Sequence, residues 1–299
     1  MDEKEFQQQM QEKQEKIEKI LERYLPKNPS FQKTIFDSME YSLMGGGKRL
    51  RPMMVQESYE LFGGKNQALV EPFMAAIEMI HTYSLVHDDL PAMDNDDYRR
   101  GRKTTHIVYG EDMGILTGDA LLNYAFETVS SAFGQTESLE QTARAFQILG
   151  KKAGVYGMVG GQVVDVERTG QALTADVLEF IYRLKTSALL EASLMIGAAL
   201  AGAKDQDIQI MEEIGGFVGM AFQIQDDILD ETSTTQELGK PVHSDERNEK
   251  TTYVSLYGMA SSRQAVEEYS EKALALLGEM KQQNLFLSTL IEKLINRKK

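Results

Sequence analysis

The chain has 299 residues, 42% of them hydrophobic, enough to bury a sizeable core. Its formal charge of −14 makes it a poor general binder of polyanions and argues against nucleic acid as a partner. It contains no cysteine, which excludes a disulfide framework, a thiolate nucleophile and cysteine-ligated zinc.

The opening MDEKEFQQQMQEKQEK is charged and lacks the apolar centre of a secretory signal, so the cytoplasm is the expected location. Phe6, Met10, Ile17, Leu21 and Tyr24 repeat at helical spacing, which predicts an amphipathic helix over residues 1–25. Pro26 and Pro29 end it, and Ser30 is the expected N-cap of a second helical run that closes at Gly45-Gly46-Gly47. No proline lies between Pro91 and Pro241. Since proline costs roughly 3 kcal/mol inside a helix, that span suits long helices. The most apolar stretch, residues 187–203, is interrupted by Glu191. It is shorter than the roughly 20 residues of a membrane span, so it reads as a buried helix. Alternating strand-like runs are scarce, and repeats and low-complexity linkers are not evident. The expectation is an all-α fold, one large helical domain over 1–299 with no membrane span, and a polar loop at about 231–250.

Two acidic clusters stand out. The first is His87-Asp88-Asp89-Leu90-Pro91-Ala92-Met93-Asp94-Asn95-Asp96-Asp97, led into by an apolar helix. Pro91 interrupts that helix, which predicts Asp88 and Asp89 near its C-terminal end and Asp94 returning from the turn. A helix C-terminus is itself partly negative, so carboxylates there call for a cation. In the second cluster Gln223, Asp226, Asp227 and Asp230 stand at i, i+3, i+4 and i+7, one polar stripe on a helix. Phe217, Met220, Ala221, Ile224 and Ile228 form an apolar stripe on the same helix. Charge runs are usually solvated faces, but both clusters are flanked by strongly apolar sequence. Paired DDxxD-like clusters ask for hard divalent cations, and Mg²⁺ binds through a few carboxylates, waters and substrate phosphates.

Basic sets lie near both clusters: Gly45-Gly46-Gly47-Lys48-Arg49-Leu50-Arg51, Arg99-Arg100-Gly101-Arg102-Lys103, Lys185-Thr186, Lys240 and Lys250-Thr251. Taken singly each is a surface patch, and the glycines before Lys48 lack P-loop spacing. Taken together they pair cations for phosphate with acids for metal. His81 lies seven residues before Asp88, on the same helical face. Glu78 and His81 also form an ExxH pair, but a di-iron bundle needs two such pairs and the other histidines have no glutamate three residues earlier.

In order along the chain, GGGKRLRP, EMIHTYSLVHDDLPAMDNDDYRRG, GDALL, GGQVVD, LKTSALL, FQIQDDILD and LGK resemble the trans-isoprenyl diphosphate synthases, the bacterial farnesyl type most closely. The resemblance runs from about Phe31 onward. It implies an all-α bundle of the isoprenoid synthase type around a central active-site cavity, generally a homodimer. It also implies three Mg²⁺ ions between the aspartate motifs and an allylic diphosphate, with Mn²⁺ as the alternative ion. Asp88 and Asp94 match first-motif metal ligands and Asp226 the second-motif ligand, while Asp89, Asp227 and Asp230 match supporting acids. Lys48, Arg51, His81 and Arg100 match the isopentenyl diphosphate pocket. Arg99, Lys185 and Lys240 match groups on the allylic diphosphate, and Thr186 and Gln223 face the reacting prenyl chain. Gln162 and Asp165 look like supports beside the cavity. Asn95 stands where relatives often carry Asp, and the loosely matched loop after Asp230 leaves Lys250 without an assigned role.

The implied activity is head-to-tail condensation of isopentenyl diphosphate with dimethylallyl or geranyl diphosphate to give the C15 product, farnesyl diphosphate. Tyr83 and Ser84, one turn before the first motif, match positions that floor the prenyl pocket; bulky Tyr83 argues for a short product. Core packing is the other reading of Tyr83. Three alternatives stand beside this one: a C20 geranylgeranyl synthase, a terpene cyclase of the same fold, and a noncatalytic partner subunit. Retention of both acid clusters speaks against the last two.

Overall fold

The computed structural model describes residues 1–136, 138–232 and 251–295. Its described residues are almost entirely helical, and they divide into two compact units, residues 2–56 with 65–142 and residues 57–64 with 143–299. Among the described residues no helix is long and apolar enough to cross a membrane.

The first unit is built on one buried helix. Helix α1 (Glu3–Tyr24) is amphipathic as the periodicity predicts, burying Phe6, Ile17, Ile20 and Leu21. Asp2 caps it, accepting from the Glu5 backbone amide at 2.8 Å. Helix α2 (Lys33–Leu43) starts later than Ser30 suggested: Gln32 occupies the N-cap, and the Ser30 amide instead donates to the Gln32 side chain at 3.3 Å. Helix α3 (Leu50–Leu61) carries Pro52 in its first turn, where the missing amide costs little. Helix α4 (Gln67–Asp88) is the centre, buried from Leu69 through Ile80 on every face. It accommodates Pro72 in its interior. Against it pack α1, α2 and α6 (Glu111–Ser130), the last preceded by the short α5 (Thr105–Tyr109).

The second unit repeats that logic. After α7 (Leu139–Ala153), α8 (Met158–Glu167) and α9 (Ala175–Ile181), a π-helical turn at Tyr182–Ser187 leads into α10 (Ala188–Leu200). Every residue of α10 is buried, as expected for the apolar run. Glu191 is tolerated there because Lys152 reaches it and also pairs with Glu212 at 2.6 Å. Burial still raises the Glu191 carboxyl above its ordinary range, with Lys152 opposing. The long helix α11 (Asp205–Thr232) is the central element, packed by α10, by α12 (Tyr253–Glu279), which kinks at Gly258, and by α13 (Leu285–Ile295).

The α10–α11 crossing is close enough to require glycine. A Cβ on Gly215 would lie 2.5 Å from Glu191 Cα and 2.8 Å from its amide nitrogen, both backbone atoms that cannot swing away. Gly215→Ala is therefore expected to cost about 1–3 kcal/mol of unfolding free energy, measured by denaturant titration; unchanged stability would contradict this packing.

Candidate active site

In each unit an acid motif sits near the C-terminal end of the central helix. Asp88 is the last residue of α4 and Asp89 its C-cap. The chain then turns back sharply, with the Asp94 amide donating to Asp88 O at 2.8 Å and the Asp96 amide to Asp89 O at 3.2 Å. This turn brings Asp94 beside Asp88, as Pro91 led us to expect. Asn95 sits in it at φ 53°, a left-handed conformation that asparagine adopts more readily than most residues. Asp88 is half-buried and Asp94 exposed, whereas Asp89 is buried.

Strands β1 (Tyr98–Arg99) and β2 (Arg102–Lys103) then form a hairpin whose two turn residues, Arg100 and Gly101, both have positive φ (53° and 74°). This is the twist-matched geometry of a two-residue hairpin turn. It aims Arg99 at Asp89, with Nε donating to Oδ1 at 2.7 Å, and ties Arg100 to the Gly46 carbonyl. Burial pushes the Asp89 carboxyl up to about 6 against the opposing effect of Arg99, with Asp96 and Asp88 adding. A cavity beside this motif is lined by Tyr41, Thr82, Asp89, Arg99, Arg100 and Arg102.

The glycine loop before α3 gathers the other cations of the unit. Gly46 and Gly47 have φ of 89° and 130°, and a Cβ on Gly47 would lie 2.5 Å from the Arg100 guanidinium. Lys48 is exposed, while Arg51 enters α3 with a buried Nε that has no hydrogen-bond partner among the described residues. Burial, opposed by Glu78 and reinforced by Arg100, lowers the Arg51 guanidinium to about 10. His81 is held well below its ordinary value by burial and then by Arg51, Arg100, Arg99 and Arg49, so it is neutral at pH 7. An orphaned buried guanidinium nitrogen inside a cluster of like charge is the signature of a place that accepts an anion. Glu78, the ExxH partner of His81, is engaged by Arg49 at 2.8 Å and is thus committed to an ion pair.

In the second unit, Gln223, Asp226, Asp227 and Asp230 follow one another along α11, but not as a solvent-facing acid edge. Asp226 is half-buried, and Asp227 and Asp230 are buried. Asp227 Oδ2 accepts from the Tyr182 hydroxyl at 2.5 Å and from the Tyr253 amide at 2.8 Å, tying the first residue of α12 to α11. The Gln223 amide group reaches Asp227 Oδ1 at 3.4 Å, and Thr186 donates to Gln223 Oε1 at 2.8 Å. Lys185 pairs with Asp165 of α8 at 2.6 Å. Gln162, also on α8, is half-buried. A second cavity is lined by Asp165, Tyr182, Lys185, Thr186, Gln223 and Asp227. Both Lys185 and Thr186 lie in the π-helical turn, a local irregularity that often marks functional positions. Lys240 and Lys250 lie outside the described residues.

Sequence reasoning missed Tyr182, whose partner is 45 residues away, and Arg49, whose partners Glu18 and Glu78 are 31 and 29 residues away. No local pattern could have found either. Tyr83 is buried and meets the His87 ring edge-on at 5.8 Å, while Ser84 donates to His81 O at 2.9 Å.

The donor chemistry fits Mg²⁺: every candidate ligand is a carboxylate oxygen, and the turn sets two of those residues, Asp88 and Asp94, side by side. Among the described residues no three His, Asp or Glu side chains converge tightly enough to hold an ion alone.

A family model described as polyprenyl synthetase matches residues 32–286. The chain is 44% identical over 279 residues to a geranylgeranyl diphosphate synthase of Cyanophora paradoxa, covering 92% of this chain and 88% of the relative. It is 42% identical over 264 residues to a farnesyl diphosphate synthase of Geobacillus stearothermophilus, covering 88% of each. A solved geranyltransferase of Helicobacter pylori, complexed with magnesium and isoprenyl diphosphate, superposes with a TM-score of 0.83 at 31% identity, covering 94% of this chain and 93% of that one.

The depressed His81 pKa makes a pH prediction. Below the ordinary histidine value of 6.5, the unfolded chain takes up a proton at His81 that the folded chain refuses, so His81 removes stability as pH falls. Asp89 works in the opposite sense, since its raised pKa favours the folded state between about 6 and its ordinary 3.8. His81→Asn should therefore lose less stability than wild type between pH 7 and 5 in paired denaturation curves. Parallel pH profiles would refute a neutral His81.

Proposed function

The chain belongs to the polyprenyl synthetase family, and on that premise we propose that it condenses isopentenyl diphosphate head to tail with dimethylallyl and then geranyl diphosphate, releasing farnesyl diphosphate and diphosphate. The observation that carries this reading is the recurrence, in each unit, of an acid motif near the end of the central helix beside a cavity: the first is lined by three arginines and the second by Lys185.

In this reading Asp88 and Asp94 from the first motif and Asp226 from the second hold Mg²⁺, three ions with substrate bound. When bound there, Mg²⁺ would supply positive charge against the departing diphosphate. Asp89 keeps Arg99 oriented toward the allylic diphosphate, and Asp165 does the same for Lys185. Lys240 is assigned to the same group. Lys48, Arg51 and Arg100 hold isopentenyl diphosphate; neutral His81 donates a hydrogen bond without adding charge. The allylic C–O bond breaks with its electron pair going to the leaving diphosphate. The alkene of isopentenyl diphosphate supplies the pair for the new C–C bond, and the proton then lost passes to the departing diphosphate, so no side-chain base is required. Thr186 and Gln223, held to each other at 2.8 Å, border the reacting carbons and help keep water from the cation.

Tyr83, buried five residues before Asp88 on α4, supports a short pocket and hence a C15 end product. A C20 product is the second reading, because relatives named for either product match at nearly the same identity, 44% and 42%. A cyclase is disfavoured by the intact Asp226-Asp227-Ile228-Leu229-Asp230 motif, and a noncatalytic subunit by the presence of both motifs. The proposal includes a homodimer in the cytoplasm.

The test is a product assay with labelled isopentenyl diphosphate, Mg²⁺ and, separately, C5, C10 and C15 allylic diphosphates. The expected end product is C15, with turnover stopped by EDTA and reduced by about a thousandfold or more in folded Asp88→Ala. A C20 end product would establish the second reading. Near-wild-type turnover in Asp88→Ala would overturn the metal assignment. Folded protein that consumes no isopentenyl diphosphate would overturn the reaction itself.

A further inference from the structure

We propose that Arg49 is a positioning residue for the diphosphate-binding loop 45–51, and that helix α1 sets affinity for isopentenyl diphosphate through it. The identity of that ligand rests on the function proposed above; the positioning role does not.

The loop is held in an unfavourable backbone. Gly46 and Gly47 have positive φ, and so does Arg49 at 51°, a left-handed conformation that is unfavourable for a bulky L-residue. Something must compensate, and the Arg49 side chain does so while fully buried. Its guanidinium forms a fork on Glu18 of α1, Nε to Oε1 at 2.7 Å and Nη2 to Oε2 at 3.2 Å. It also donates to Glu78 of α4 at 2.8 Å and to the Leu43 carbonyl at 2.8 Å. Burial alone would lower its pKa, but Glu18 and Glu78 reverse that and raise it.

Helix α1 adds a second tie one turn earlier. Gln14 Nε2 donates to the Gly47 carbonyl at 2.8 Å, while Arg100 takes the Gly46 carbonyl. Gln14 and Glu18 are i and i+4 on one face of α1, so a single helical turn holds two points of the loop. The cations on either side of Arg49 are placed differently: Lys48 is exposed, and Arg51 keeps a buried Nε without a partner among the described residues. Arg49 is thus held by protein carboxylates, and its pairing fixes the backbone that carries its neighbours. Glu18→Gln removes the charge and leaves Arg49 a single amide oxygen in place of the two-oxygen fork, which lets the strained loop relax, so the ligand must then reorder it. Helix α1 lies outside residues 32–286, the part that matches the family model, whereas Arg49 and Glu78 lie inside it.

The experiment uses the full-length protein carrying Glu18→Gln and, separately, Gln14→Ala. Steady-state kinetics are measured with isopentenyl diphosphate varied at saturating allylic diphosphate. Binding of inorganic diphosphate is measured calorimetrically without Mg²⁺. Glu18→Gln is expected to raise the KM for isopentenyl diphosphate about tenfold and to weaken inorganic diphosphate binding by a similar factor, with kcat and the allylic KM within about twofold. A merely structural role would lower the melting temperature without splitting KM from kcat, and that result would overturn the proposal. So would wild-type KM and diphosphate affinity in folded Glu18→Gln. If Glu18→Gln does not fold, Gln14→Ala decides by the same criteria. Weakened diphosphate binding in a protein that never consumes isopentenyl diphosphate would uphold the positioning role and reject the proposed reaction.

Discussion

Like charges concentrated at the end of a buried helix are unstable unless something answers them, and the arrangement of this protein follows from that. Helix α4 ends in Asp88 and Asp89, and the last turns of α11 carry Asp226, Asp227 and Asp230. The partial negative charge of each helix C-terminus makes these positions worse for carboxylates, not better. Among the described residues, each unit ties at least one of these carboxylates internally. Arg99 covers Asp89, and the Tyr182 hydroxyl with the Tyr253 amide covers Asp227. The residues assigned to metal occupy the more accessible positions: Asp94 is exposed, and Asp88 and Asp226 are half-buried. These internal ties hold the scaffold in shape around the residues assigned to metal.

The cations show the same division of labour. Arg49 is consumed by Glu18 and Glu78, Lys152 by Glu191 and Glu212, and Lys185 is oriented by Asp165. Among the described residues Arg51 retains a buried nitrogen without a partner, and burial, reinforced by the surrounding arginines, keeps His81 neutral. A neutral imidazole among guanidiniums can donate a hydrogen bond to an anion without raising the repulsion that the ligand has to offset. The net charge of −14 conceals this cationic locality, which sequence order alone places near the acid motifs.

What was legible in the sequence was local. Helical spacing located α1, the apolar run located α10, and Pro91 after two aspartates located the end of α4 and the return of Asp94. What was not legible depends on partners far apart along the chain. Ser30 looked like an N-cap, but Gln32 occupies that position. The i, i+3, i+4, i+7 stripe of the second motif read as an acid edge, yet Asp227 and Asp230 turn out buried, because α10, α12 and the π-helical turn pack around α11. That π-helical turn has no sequence signal here, although it carries Lys185 and Thr186. Arg49 looked like one more basic residue in KRLR, and only its fork to Glu18, 31 residues away, separates it from its neighbours.

The central claim is that the accessible carboxylates hold metal jointly with a diphosphate and not by themselves. The most direct measurement is a calorimetric titration of Mg²⁺ into the protein alone and into the protein saturated with an unreactive allylic diphosphate analogue, with the heat of mixing Mg²⁺ and analogue subtracted. Mg²⁺ is expected to bind weakly without the analogue and tightly and saturably with it. Equally tight Mg²⁺ binding in both titrations, or analogue binding that does not depend on Mg²⁺, would contradict it.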